Sequence, residues 1–131
     1  PCGGILLSPA FNPVKGRLGT TFGGNYLAMA GALAVLDIIE EEKLVENALE
    51  VGEYLKASIP ASPLIKEVRG KGLMLGIEFN EDVAPIRSAL LYEKHIFTGV
   101  AGTNMIRLLA PLCLTKAEVD IFIKSFKEVL A

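Results

Sequence analysis

The chain has 131 residues, 51% of them apolar and 21% charged, which is the composition of a globular chain rather than a disordered or collagen-like one. A formal net charge of −2 and a pI near 5.4 argue against nucleic-acid binding, which leaves a basic footprint. No apolar run reaches the roughly 18 residues of a membrane helix, and the mean hydropathy of +0.44 predicts apolar surface that other chain covers.

The chain opens on Pro1-Cys2-Gly3-Gly4 without an initiating Met or a signal-peptide core, so we expect a cut piece with no targeting segment. Cys2 and Cys113 lie far apart with no CxxC or metal-like spacing, which predicts reduced structural thiols and a cytoplasmic protein. Gly3 to Leu7 is a short apolar run between glycines and Ser8-Pro9 and reads as a buried strand. Ser8 to Gly16, with two prolines and an Asn, reads as a loop.

Gly19-Thr20-Thr21-Phe22-Gly23-Gly24-Asn25 follows and runs into the uncharged segment Tyr26 to Leu36. Glycine lets backbone approach a ligand closely, and the free N–H groups of a helix start favour an anion. The Thr21 hydroxyl can join them as a donor; the competing reading is a threonine that satisfies its own turn. The GxxxxGK[ST] spacing of a P-loop is missing. Lys15 and Arg17 are the charges of the first 36 residues, so the loop beside this corner is positive.

A helix is expected from about Asn25 to Glu40, apolar on every side at first and therefore enclosed; its length of roughly 24 Å is enough to link two domains. Glu40, Glu41 and Glu42 suit the start of a new helix better than the end of an old one. A bend there and a second helix to about Ser58 follow, with Leu44, Ala48, Val51 and Leu55 on one face and Pro60 and Pro63 beyond its end. Leu64 to Val68 reads as a strand, Arg69-Gly70-Lys71-Gly72 as a tight hairpin turn. Leu73, Leu75, Ile77 and Phe79 alternate with Met74, Gly76 and Glu78, which marks a strand with one buried face.

Val83 to Lys94 reads as a helix that tolerates Pro85 in its first turn. Ile96 to Thr98 and Met105 to Leu109 read as short strands around the loop Gly99 to Asn104. Thr115-Lys116-Ala117-Glu118 is a capping box, opening a last helix with Val119, Phe122, Ile123, Phe126 and Leu130 on one stripe. Helices and strands in this order predict an α+β fold of two layers, a small sheet with helices on one face.

Arg107 is the second candidate site residue. An Arg among Ile106, Leu108 and Leu109 is expected to be buried and to need an anionic partner. Two partners stay open: an acid of the chain, or the carboxylate of a ligand, which a planar guanidinium holds with two prongs. Arg69 and Lys71 read as hairpin architecture, and His95 stands apart from any ligand-spaced Cys or His, so no metal site is expected.

Thr20-Thr21-Phe22-Gly23-Gly24-Asn25, Val68-Arg69-Gly70-Lys71-Gly72-Leu73-Met74-Leu75-Gly76 and Asn104-Met105-Ile106-Arg107-Leu108-Leu109-Ala110-Pro111-Leu112 stand in that order. Together they resemble the class III, pyridoxal-phosphate-dependent aminotransferases, the acetylornithine/ornithine branch in particular, over nearly the whole chain. Thr20 stands where that family has a serine, and Leu18 where it often has a histidine.

The resemblance implies the C-terminal small domain of a fold-type I transferase over 41–131, preceded over 1–40 by the end of the cofactor-binding large domain and an inter-domain helix. It implies pyridoxal 5′-phosphate as cofactor, with Thr21, and Thr20 beside it, holding the phosphate that belongs to the neighbouring subunit, hence a homodimer. It implies that Arg107 binds a substrate carboxylate. The reaction implied moves the terminal amino group of N-acetylornithine to 2-oxoglutarate in arginine biosynthesis. Ornithine or 4-aminobutyrate as donor, and a non-catalytic ligand-binding module, are the alternatives. The family's Schiff-base lysine sits in an Ala-Lys-Gly-like segment upstream of Gly3, and no lysine here has that context. The fragment by itself is therefore expected to be inactive.

Overall fold

In the computed structural model, residues 3–12, 14–16 and 19–131 are described. The chain divides into two units, Pro1–Glu42 and Lys43–Ala131.

Among the described residues the first unit contains one helix, α1 (Tyr26–Glu41). Asn25 caps it: its backbone is extended and its Oδ1 accepts from Ala28 N–H at 2.9 Å. No residue of α1 is buried, so the enclosure expected from its all-round apolarity is not provided among the described residues. Tyr26, Leu27 and Leu33 stand well exposed. Gly3 to Leu7 is not a strand, and Ile5 and Leu6 are exposed. A strand requires a neighbour to complete its ladder, and no described segment pairs with it. The three acids also depart from expectation: Glu40 and Glu41 finish α1 and Glu42 is its C-cap. Cys2 lies outside the described residues; Cys113, expected to be a structural thiol, is free and exposed.

The second unit begins with α2 (Leu44–Ser58), entered through Lys43 in a left-handed conformation (φ 51°). That conformation, costly for a residue with a Cβ, breaks the helical path at the end of the acidic run. Four strands follow with two more helices: β1 (Ile65–Lys71), β2 (Met74–Phe79), α3 (Ala84–Tyr92), β3 (Gly99–Ala101), β4 (Met105–Leu109) and α4 (Lys116–Leu130). The sheet order is β1-β2-β4-β3 and every pairing is antiparallel. This is the expected α+β fold of two layers.

Two strand boundaries differ from the sequence reading. β1 runs through Arg69 and Gly70 to Lys71, which pairs with Met74, so the turn is Gly72-Leu73. Gly72 takes φ 56°, the conformation a two-residue hairpin asks of its first central residue. β3 is Gly99–Ala101 rather than Ile96–Thr98. Pairing of Gly99 with Arg107 and Ala101 with Met105 outweighs the weak strand propensity of glycine and alanine.

The core lies on one side of the sheet. Leu75, Ile77 and Phe79 of β2 and Ile106 and Leu108 of β4 point into it, against Val51 and Leu55 of α2 and Val119, Ile123 and Phe126 of α4. Phe126 meets Phe79 edge-on at 6.4 Å and stacks on Phe122 at 5.3 Å. Full burial of such side chains contributes about 1.5–3 kcal/mol each. The capping box is formed: Thr115 Oγ1 accepts from Glu118 N–H, and Glu118 Oε2 accepts from Thr115 N–H at 2.8 Å. Among the described residues no helix is long and apolar enough to cross a membrane.

Candidate functional site

The two candidate sites belong to different units, and each stands on its own geometry. In the first unit, Thr21 to Gly24 form a turn leading into Asn25. Gly23 N–H donates to Thr20 O at 3.2 Å and Asn25 Nδ2 donates to Phe22 O at 2.8 Å. Gly24 takes φ 72°, a conformation glycine adopts without strain. A Cβ on Gly23 would come within 2.6 Å of the Thr20 Cγ2 methyl, so the Thr20 side chain would have to turn away to admit one.

Thr20, Thr21 and Phe22 are exposed, and among the described residues neither threonine hydroxyl has a hydrogen-bond partner. Asn25 caps Ala28 N–H, which leaves the N–H groups of Tyr26 and Leu27 among the unsatisfied donors of a helix start. The corner thus offers neutral hydroxyl and amide donors of the kind a phosphate accepts. Arg17 and Leu18, on the approach to it, lie outside the described residues.

In the second unit the side of the sheet opposite the core carries no helix. Met74, Gly76 and Glu78 of β2 face it, as do Met105, Arg107 and Leu109 of β4. Arg107 is therefore exposed, contrary to the burial expected from its apolar neighbours. The period of two along Met105–Leu109 sends Ile106 and Leu108 inward and Arg107 outward. It makes no ion pair with an acid of the described residues, so the internal salt bridge left open by the sequence is absent among them. Its guanidinium remains available to an anion.

Arg69 shares that face but is occupied. Its Nη1 donates to Glu67 at 2.7 Å and also to Glu78, and Glu78 accepts from Lys66 at 2.7 Å as well. The hydrogen bonds from Lys66, then Arg69, hold the Glu78 carboxyl below the ordinary glutamate range. Glu78, then Glu67, hold the Arg69 guanidinium above the ordinary value. Two arginines on one face thus differ in kind: one neutralised by carboxylates, one free of them.

The loops around Arg107 are pinned from outside the motif. Asn104 Nδ2 donates to Phe79 O at 3.2 Å, and Phe79 N–H to Asn104 O at 2.8 Å. Asn47 of α2 donates to Leu112 O at 2.7 Å and Leu114 O at 3.1 Å, holding the segment after β4. Sequence reading missed Asn47 because its partners lie 65 and 67 residues away. Arg87 of α3 donates to Thr98 O at 2.9 Å and fixes the segment before β3. On the helical side an apolar cavity of about 270 Å³ is lined by Leu55, Thr98, Leu108, Val119 and Phe122, among others. Its one carboxylate, Glu118, is the one the capping box uses. His95 is exposed with φ 57°, and among the described residues no group of three or more His, Cys, Asp or Glu could hold a metal ion.

The model of the class-III aminotransferase family matches residues 7–130, and the chain belongs to that family. It is 42% identical over 138 aligned positions to the acetylornithine aminotransferase of Bacillus subtilis (strain 168), covering 100% of this chain and 35% of that protein. It is 42% identical over 118 residues to the ornithine aminotransferase of Staphylococcus carnosus (strain TM300), covering 88% of this chain and 30% of that one. Among solved structures, the acetylornithine aminotransferase from Elizabethkingia anophelis matches with a TM-score of 0.78 at 34% identity, over 92% of this chain and 33% of its own. The chain spans about a third of the length of the curated relatives it matches.

Proposed function

We propose that this chain supplies a carboxylate clamp and a phosphate grip to an aminotransferase. The whole protein, on this reading, moves the terminal amino group of N-acetylornithine, or a related N-acylornithine, to 2-oxoglutarate in cytoplasmic arginine biosynthesis. Arg107 carries the proposal: an exposed guanidinium on a buried-core strand, with no acid of the described chain on it, suits the carboxylate common to all these substrates.

Pyridoxal 5′-phosphate, when bound, supplies the electron sink for moving an amino group. The Thr20–Asn25 corner fits its phosphate, because both hydroxyls are exposed and unpartnered among the described residues and the α1 start adds amide donors. Thr21, with Thr20 beside it, would hold that phosphate for the neighbouring subunit, and a homodimer follows. The lysine that joins the cofactor covalently is assigned to a part of the protein other than these residues. The 131-residue chain, given the cofactor and reduced with borohydride, then retains no cofactor at one specific lysine.

Ornithine as amino donor is the second reading, favoured by relatives of that name with the same 42% identity. The full-length enzyme, assayed with 2-oxoglutarate and each donor, decides by the ratio of kcat/KM values. A higher value for N-acetylornithine supports the first reading; a higher value for ornithine replaces it, and no transfer from either removes both.

A further inference from the structure

One row of residues crosses all four strands on the open face: Arg69, Gly76, Arg107 and Gly99. Arg107 therefore has a glycine opposite it on each flanking strand. Opposed residues on one face of an antiparallel pair have Cβ atoms about 4.5–5.5 Å apart, so each glycine is a place where a side chain would neighbour Arg107.

The two glycines act differently. A Cβ at Gly76 would meet Met105 Sδ at 2.9 Å and does not reach Arg107 within its nearest neighbours. A Cβ at Gly99 would lie 3.0 Å from Arg107 O, 3.3 Å from its Nε and 3.5 Å from its Cβ. The Arg107 side chain thus lies down across β3, its Nε beside the space a methyl group would take. Gly99 does not have a left-handed φ, so its own backbone conformation admits other residues. The neighbouring arginine is what the bare position accommodates.

We propose that Gly99 is a positioning residue for Arg107, keeping the guanidinium low against the sheet so that its fork meets the carboxylate of a 2-oxo dicarboxylic acid. This rests on the carboxylate role proposed above for Arg107. A side chain at 99 lifts or turns the stem, a distortion whose size corresponds to roughly a five- to tenfold loss of affinity for the acid.

The test uses glutarate, a dicarboxylate without the reactive keto group, titrated calorimetrically into the full-length enzyme. Gly99→Ala, Arg107→Ala and the double variant are compared with the unmodified enzyme; a Gly99→Ala enzyme that does not fold overturns the inference, because the Cβ then acts through strand pairing against Arg107 O. The expected result is a glutarate dissociation constant raised about five- to tenfold by Gly99→Ala and changed less than about twofold by the same substitution once Arg107 is alanine. An equal loss in both backgrounds would mean that the Cβ disturbs only strand pairing, against Arg107 O, and overturns the inference. So does an unchanged constant in Gly99→Ala while Arg107→Ala weakens binding, which leaves the carboxylate role standing. Unchanged binding in Arg107→Ala removes that role and this inference together.

Discussion

Arg69 and Glu78 are diagonal neighbours across the β1–β2 ladder, Arg69 standing opposite Gly76 and Glu78 opposite Glu67, and their side chains join over the intervening space. Lys66 completes the arrangement from the far side of the carboxylate. The consequence is a sheet face whose charges are largely settled among themselves on β1 and β2, with Arg107 left open on β4.

That arrangement has a pH signature. Lys66 and Arg69 lower the Glu78 pKa in the folded chain, so its contribution to stability is present above the ordinary glutamate range and is lost as pH falls through the lowered folded value. Glu78→Gln is expected to lower the urea midpoint near neutral pH, and the gap from the unmodified chain is expected to narrow as pH drops below about 4. Midpoints measured from pH 7 to 3 check it; a gap independent of pH would show that the carboxylate's charge contributes nothing.

The approach of α2 to the hairpin makes a second prediction. A Cβ on Gly52 would overlap the backbone carbonyl group of Gly72 and come within 2.6 Å of its Cα. Backbone cannot yield as a flexible side-chain tip does. Gly52→Ala is therefore expected to destabilise by about 1–3 kcal/mol despite alanine's better helix propensity, whereas Gly31→Ala, with nothing within 4 Å of its Cβ position, should not. Thermal unfolding of the two variants separates packing from propensity.

The capping box gives a third. Thr115→Ala removes the acceptor for Glu118 N–H and a hydrogen-bond donor to the Glu118 carboxylate. The expected loss is about 1 kcal/mol, read from denaturant midpoints, with Thr115→Ser recovering most of it. If serine is no better than alanine, the hydroxyl is not what holds the start of α4.

What could be read without coordinates was what local rules govern. The alternation Leu73, Leu75, Ile77, Phe79 and the stripe Val119, Ile123, Phe126 placed the core correctly, because burial on one face imposes a period of two or 3.6. Thr115 was legible as a cap because its hydroxyl, three residues before Glu118, can satisfy a free N–H of the helix start. β3 was displaced because Gly99 and Ala101 have little strand propensity of their own and the segment is a strand by virtue of β4. Gly3 to Leu7 failed in the opposite sense, having strand composition without a described partner. Arg107 is the instructive case. The alternation that buries Ile106 and Leu108 already implied that it faces outward, but its apolar surroundings suggested burial. Asn47 and Gly52 had no local signal, since what they touch is distant in sequence.

The two candidate sites make separable predictions in the full-length enzyme. A phosphate grip acts on the cofactor in every state of the enzyme, so Thr21→Ala is expected to weaken cofactor retention during dialysis by about tenfold, the worth of one charge-assisted hydrogen bond, with a smaller effect from Thr20→Ala. A carboxylate clamp acts only on substrate. Arg107→Ala is accordingly expected to raise KM for 2-oxoglutarate and the amino donor by about tenfold or more while leaving cofactor retention unchanged, because a lost hydrogen bond to a charged group costs about 1.5–3 kcal/mol. Arg107→Lys should recover little of it, since an ammonium cannot reproduce the two-pronged geometry. Cofactor content after dialysis and KM, measured on the same preparations, tell the roles apart: Arg107→Ala that lost cofactor with KM intact would reverse its assignment, and Thr21→Ala that raised KM with full cofactor content would place the threonine on the substrate instead.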